Sequence, residues 1–192
     1  MERKVVVFGT SLNPGSKSQI LAREVVRRID EEDVPWELVD LRDLELPESG
    51  RRGARESDAA ERLKAIVADA THLVFAVAVY NFNVSSAAKN LVELMTADEL
   101  KDKVVGFVCA AGGRNSYMSV MSFANSLMLD FRAWVVPRYV YAVGSDFDGL
   151  RVASAEIHSR LDLLVRDLLD GPPGYRRKAR AGSCAMAGEA VA

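Results

Sequence analysis

The amino-acid sequence predicts an α/β fold, a five-stranded parallel sheet in the order 2-1-3-4-5 covered by helices on both faces as a three-layer sandwich. Three observations predict it. Apolar segments of strand length alternate with amphipathic helical segments along the chain. The stretch Leu73-Val74-Phe75-Ala76-Val77-Ala78-Val79 is apolar at every position, the pattern of a strand buried on both faces. Right-handed crossovers between successive parallel strands then select this order, which gathers the loops after strands one, three and four around one crevice.

The first strand spans about residues 3–9, with the apolar run Val5-Val6-Val7-Phe8. The first helix runs from Ser16 to about Asp30, with Leu21, Val25 and Ile29 one turn apart. The second strand, Trp36 to Leu41, follows Pro35, and residues 47–57 form an irregular exposed loop rich in glycine and arginine. The second helix stacks Leu63, Ile66, Val67 and Ala70, and the third strand covers Leu73 to Val79. The third helix carries Val84, Ala88, Leu91, Val92 and Met95 on one face, ahead of a fourth strand from Val104 to Ala110. The fourth helix shows Tyr117, Val120, Met121, Ala124, Leu127 and Met128, and the fifth strand runs from Ala133 to Ala142. The fifth helix displays Ile157, Leu161, Leu164, Val165 and Leu168, and Gly171-Pro172-Pro173-Gly174 stops it.

At 192 residues, 49% hydrophobic and 27% charged, the chain suits one soluble domain over residues 1–171, followed by a basic, small-residue tail over 172–192 expected to be mobile. The longest apolar runs are of strand length, so no membrane span is expected. Met1-Glu2-Arg3-Lys4 leads into a strand without a signal-peptide core. Cys109 and Cys184 share no metal or redox spacing, and the pair reads as reduced and cytoplasmic. A net charge of −2 argues against non-specific nucleic-acid binding. His72 and His158 read as structural.

The chemistry is concentrated in three loops. After the first strand come Thr10-Ser11-Leu12-Asn13-Pro14-Gly15-Ser16-Lys17-Ser18, then a helix start. Unpaired amides at a helix N-terminus, the positive end of its dipole and nearby hydroxyls make an anion site. The spacing is not that of a nucleotide-triphosphatase loop, because Lys17 falls one residue late and Thr10 stands where the first glycine is needed. Gly9 and Gly15 also miss the spacing of a dinucleotide fingerprint. A single terminal phosphate remains the best match, although an ordinary turn with Ser16 as helix cap accounts for the loop equally well.

After the third strand, Tyr80-Asn81-Phe82-Asn83 offers a flat wall and amide donors for a heteroaromatic ring, or else rim aromatics with Asn83 capping the next helix. Lys89 and Asn90 read as structural, Asn90 tying loops together by side-chain hydrogen bonds. After the fourth strand, Gly112-Gly113 permits close approach of backbone to a ligand, or forms a plain turn with Ser116 as cap. Three such loops around one crevice argue for a ligand more strongly than any one of them.

Together, Gly9-Thr10-Ser11-Leu12-Asn13, Ser16-Lys17-Ser18, Tyr80-Asn81 with Lys89-Asn90, and Gly112-Gly113 resemble the NADPH-dependent FMN reductase family of flavodoxin-like proteins over roughly residues 3–170. The resemblance implies a flavodoxin-like FMN-binding domain. It implies an enzyme that passes hydride from NADPH or NADH to FMN and on to a small-molecule acceptor such as a quinone, an azo compound or free flavin. It assigns the phosphate to Ser11, Asn13, Ser16, Lys17 and Ser18. It assigns the ring edge to Tyr80, Asn81, Phe82 and Asn83, with Gly112 and Gly113 on the pyrimidine side. It also implies a homodimer or homotetramer; the methionines and aromatics of helices three and four suggest that surface. The sequence departs from the family pattern at Ala78-Val79, Phe82 and Asn13, and Phe82 narrows the space over the ring. The alternative is an FMN-binding electron-transfer module reduced by a partner protein.

Overall fold

The computed structural model describes residues 3–171. Along the chain come β1 (Val5–Gly9), α1 (Lys17–Glu31), β2 (Trp36–Asp40), α2 (Asp58–Asp69), β3 (His72–Tyr80), β4 (Asn83–Val84), α3 (Ser86–Glu93), α4 (Ala97–Leu100), β5 (Val104–Ala111), α5 (Met121–Leu129), β6 (Trp134–Val143), β7 (Phe147–Asp148), β8 (Arg151–Val152) and α6 (Ala155–Asp170). Five parallel strands form the central sheet in the order β2-β1-β3-β5-β6. With the two-residue β4 set aside, this is the predicted order. Because all five point the same way, their carboxyl ends share one edge of the sheet.

The all-apolar strands are explained by two cores, one on each face. On one side Phe8, Phe75 and Phe107 of the sheet pack beneath α2, α3 and α5, with the Phe75 and Phe107 rings 5.8 Å apart and Phe123 of α5 edge-on to Phe75 at 5.6 Å. On the other side Val5, Val7, Val74, Val108 and Val140 pack beneath the leucine stripes of α1 and α6. Gly106 lets α6 lie close to the sheet, since a Cβ there would press on Leu168 at 3.3 Å and Leu164 at 3.4 Å.

Helix ends follow the expected chemistry. Ser16 caps α1 by accepting from the Ser18 amide, Ser57 caps α2, and Gly171 ends α6 at φ 66°. The buried Lys103 ammonium donates to the Ala68 carbonyl at 3.1 Å and to the Ala70 carbonyl, satisfying the carboxyl end of α2. Arg28 fastens α1 to α6, donating to Asp162 and to Glu24 at 2.6 Å each and to His158 Nδ1 at 3.0 Å. His158 Nε2 lies 3.0 Å from the Val152 carbonyl, which only accepts, so Nε2 carries the proton and Nδ1 accepts from Arg28. Burial pushes the Glu24 carboxyl up, but its hydrogen bond and charge pairing with Arg28 outweigh that and hold it below the ordinary value.

Four features differ from the sequence reading, one being the β4 return, which takes Val84 out of the third predicted helix. The fourth predicted helix starts later: a 3₁₀ turn over Arg114–Ser116 and an open turn precede α5, which begins at Met121 without a side-chain cap. The third predicted helix breaks after Glu93, and Thr96 with Glu99 forms a capping box that starts α4. The hairpin β7–β8 was not anticipated; its signal is Asp148-Gly149, with Gly149 at φ 58° in the first central position of a two-residue turn. The expected tail, residues 172–192, lies outside the described residues. Since α6 runs against the strands, Gly171 comes back beside Val104 and Trp134 at the amino edge of the sheet.

Candidate functional site

The loop after β1 is organised by Asn13. Its backbone amide donates to Ser11 Oγ at 3.3 Å, its Oδ1 accepts from the Gly15 amide at 3.0 Å, and its carbonyl accepts from the Ser16 amide at 3.0 Å. These bonds leave the amides of Ser11, Leu12 and Lys17 unengaged by the loop, at the positive end of a 15-residue helix. The hydroxyls of Ser16 and Ser18 lie 2.8 Å apart, with Ser18 fully buried. The Lys17 ammonium turns to the other side of α1: it donates to the Gly144 carbonyl at 3.1 Å and sits 5.1 Å from the centre of the Phe147 ring. Its charge therefore stands beside the loop rather than within it.

At the end of β3 the chain reverses sharply. Val79 pairs with Val84 and Tyr80 with Asn83 in antiparallel fashion, so only Asn81 and Phe82 make the turn. Both are left-handed, at φ 48° and 59°, the conformation of a type I′ hairpin. Asparagine is at home there. Phenylalanine is not, and a left-handed L-residue with a full side chain costs roughly 1–2 kcal/mol. Phe82 is nonetheless 68% exposed, projecting from the rim. Asn83 lies in β4, and Ser85 rather than Asn83 caps α3. Ser85 Oγ also lies 3.3 Å from the Thr10 carbonyl, stitching the first loop to the second. Asn90 ties the 47–57 loop down, donating to the Pro47 carbonyl at 2.9 Å and accepting from the Ser49 amide at 2.7 Å.

The loop after β5 is fastened to β6 by two tyrosines. Tyr141 donates to the Gly113 carbonyl at 2.6 Å and Tyr139 to the Tyr117 carbonyl at 2.7 Å. Burial pushes the Tyr139 phenol up, which keeps it a donor.

A cavity of about 750 Å³ opens between the first two loops. Ser11, Asn13, Tyr80, Asn81 and Asn83 share its wall. Ser16, Lys17, Ser18, Phe82, Gly112 and Gly113 stand at the same edge of the sheet but outside that wall. Lys89 of α3, read from the sequence as structural, also lines the cavity, as do Ser122, Phe123 and Ser126 of α5, none of which the sequence reading singled out for the site. Among the described residues no group of His, Cys, Asp or Glu is placed to hold a metal ion.

The glycines test whether a phosphate-bearing flat ligand fits. A Cβ on Gly9 would run into the Gln19 side-chain amide, so that glycine serves the protein's own packing. Gly112 and Gly113 differ: a Cβ on either would meet nothing within 4 Å. Gly15 is nearly as open, its nearest atom being Asn13 Oδ1 at 3.6 Å, and none of these three has a positive φ. Neither conformation nor internal packing calls for glycine at these places. The open backbone there leaves room for a ligand to lie against it. The residues fit the group.

The sequence profile of the NADPH-dependent FMN reductase family matches residues 3–148. A protein of Geobacillus thermodenitrificans (strain NG80-2) described as an NAD(P)H-dependent FAD/FMN reductase is 29% identical over 138 residues, covering 70% of this chain and 74% of that one. An NADPH azoreductase of Bacillus sp. (strain OY1-2) is 25% identical over 172 residues, covering 89% and 90%. Among solved structures, the flavoenzyme NAD(P)H:(acceptor) oxidoreductase FerB of Paracoccus denitrificans superimposes with a TM-score of 0.72 at 16% identity, over 88% of this chain and 96% of that one, and so shares the fold.

Proposed function

The chain belongs to the NADPH-dependent FMN reductase family, and we propose from that premise how its residues divide the work. It is an NAD(P)H-dependent flavin oxidoreductase with FMN as cofactor. Bound FMN supplies the hydride-accepting and hydride-donating chemistry. Ser11, Asn13, Ser16 and Ser18, with the amides at the start of α1, hold the phosphate, and Lys17 adds positive potential from beside it. Tyr80, Asn81, Phe82 and Asn83 wall the ring, and Gly112-Gly113 lets the backbone reach its pyrimidine edge. A nicotinamide must come within roughly 3–3.5 Å of the reacting atom. The exposed Phe82 ring therefore governs how donor and acceptor take turns on that face. No side-chain acid or base is needed, and the protein's part is position and electrostatics. The observation that carries this reading is the open space at Gly15, Gly112 and Gly113.

The donor is NADPH or NADH, and the acceptor is a small oxidant of the azo, quinone or free-flavin kind; curated relatives are described as a FAD/FMN reductase and an azoreductase. The enzyme works in the cytoplasm, and among the described residues no helix is long and apolar enough to cross a membrane. It assembles as a homodimer or homotetramer through α3 and α5. The exposed Met118, Met128 and Leu129 support this, whereas Met95 is core. Elution at monomer volume at micromolar concentration would remove the assembly.

The experiment is spectroscopic. Protein incubated with FMN and desalted should carry the yellow flavin band, which NADPH or NADH should bleach without added reductase in the absence of oxygen. Protein that ignores FMN across a concentration series would sink the proposal. Flavin that binds but bleaches only with a second reductase would make the chain an electron-transfer module.

A further inference from the structure

Tyr141 stands on β6 with its ring almost buried and its hydroxyl 2.6 Å from the Gly113 carbonyl. Ser116 Oγ lies 2.7 Å from the same hydroxyl. A phenol has one hydrogen and a carbonyl only accepts, so the order is fixed: Ser116 donates to Tyr141, and Tyr141 donates to Gly113. A chain of hydrogen bonds of this kind is mutually strengthening in a site of low polarity. The Tyr117 ring, edge-on to Tyr141 at 5.4 Å, packs against the relay.

The consequence falls on the next amide. A trans peptide is planar, so the carbonyl of Gly113 and the N–H of Arg114 point in opposite directions. The sheet runs β3-β5-β6. A Gly113 carbonyl drawn towards β6 turns the Arg114 N–H back towards β3, the side where the Tyr80-Asn81 turn lies. No hydrogen bond within the 112–120 loop uses that N–H. Gly113, which has no packing reason to be glycine, leaves the approach to it clear.

We propose that Tyr141 and Ser116 are positioning residues that aim the Arg114 amide at the pyrimidine carbonyl edge of FMN and so set the potential of the bound flavin. This rests on the functional reading above. The two-electron-reduced flavin at neutral pH carries one more negative charge than the oxidised flavin, spread over that edge. A donor held there in advance favours the reduced form over the oxidised one. A donor that must first be oriented favours it less.

The test is the midpoint potential of the FMN-loaded full chain, measured by equilibration with a reference dye, alongside the dissociation constant of oxidised FMN. Tyr141→Phe keeps the ring and loses the hydroxyl. The expected result is a potential lower by about 30 mV, equivalent to a tenfold loss of preference for the reduced form in a two-electron couple, with oxidised FMN bound within about threefold of the wild type. Ser116→Ala, which leaves the Tyr141 bond but removes its donor, should move the potential the same way by less. Tyr139→Phe, which frees the Tyr117 carbonyl and the Met118 sulfur but leaves the Gly113 carbonyl held, should leave it in place. Potentials unchanged in both Tyr141→Phe and Ser116→Ala, with FMN bound, would overturn this inference and leave the functional reading standing. Should Tyr141→Phe fail to fold, an unchanged potential in Ser116→Ala decides against it alone. A wild-type chain that binds no FMN would overturn both.

Discussion

Lys17, first residue of α1, donates its ammonium hydrogen to the carbonyl of Gly144, 127 positions further along the chain, at 3.1 Å. The bond joins the loop after β1 to the turn after β6, and the Phe147 ring supports the same charge from its face. Lys17→Ala should therefore act first on stability. A hydrogen bond from a charged donor and a cation–π contact at a partly exposed site together suggest a loss of about 1–2 kcal/mol, read as a lower urea midpoint in the absence of flavin. FMN affinity should fall as well, by less than for a substitution inside the loop.

Ser16→Asp is that substitution. Aspartate caps a helix as well as serine does, so α1 should persist and the melting temperature should barely move. A carboxylate beside a phosphate costs about 1–4 kcal/mol at 4 Å between water and a protein surface. FMN binding should weaken at least tenfold in a fluorescence titration, and an unchanged affinity would remove Ser16 from the site.

Gly15→Ala and Gly112→Ala separate folding from binding in the same way. A Cβ at either position meets open space or an ordinary contact in the protein. Thermal unfolding without flavin should stay within about 0.5 kcal/mol of the wild type, as for surface changes generally. FMN affinity should drop by an order of magnitude in each. Gly9→Ala, whose Cβ would meet Gln19, should instead destabilise the fold.

Phe82→Gly should stabilise the free protein. It relieves a left-handed side-chain penalty of about 1–2 kcal/mol against a glycine entropy cost of about 0.5–1 kcal/mol. The net gain, up to about 1.5 kcal/mol, corresponds to a rise in melting temperature of at most roughly 3–6 °C for a chain of this size. Removing the exposed ring should also lower KM for the nicotinamide donor. A melting temperature that falls would show that Phe82 is held by packing rather than tolerated.

The Glu24 carboxyl sets a pH dependence. Its folded pKa is depressed because pairing with Arg28 outweighs burial. Its contribution to stability is therefore complete above the unfolded value near about pH 4.3 and is lost as pH falls through the lower folded value. The gap in urea midpoint between wild type and Glu24→Gln should be widest above about pH 5 and close as the solution becomes more acid.

Much of this architecture was legible in the sequence because two-sided burial leaves a plain mark. Leu73–Val79 had to be an interior strand, and Ser16 and Gly171 had to bound helices. The β4 return was hidden because Phe82 occupies a turn position that chemistry reserves for glycine. The late start of α5 was hidden for another reason: two tyrosines on β6 hold the preceding loop by its carbonyls, a long-range bond that no local pattern announces. Within the site, residues placed by strand ends were readable, and Ser11, Asn13, Tyr80, Asn81 and Asn83 share one cavity. The direction of Lys17 was not readable, since Gly144 lies in the turn after β6 and Phe147 in a hairpin the periodicity does not show.

The amino edge of the sheet receives both the start of β1 and the return of α6 to Gly171. A group attached directly at the start of β1 or at Gly171, whether an affinity tag, a fused reductase or a thiol linker to gold, would therefore hang from the sheet edge opposite the loops after β1, β3 and β5. Immobilised that way, the molecule would present those three loops to the solution rather than to its support.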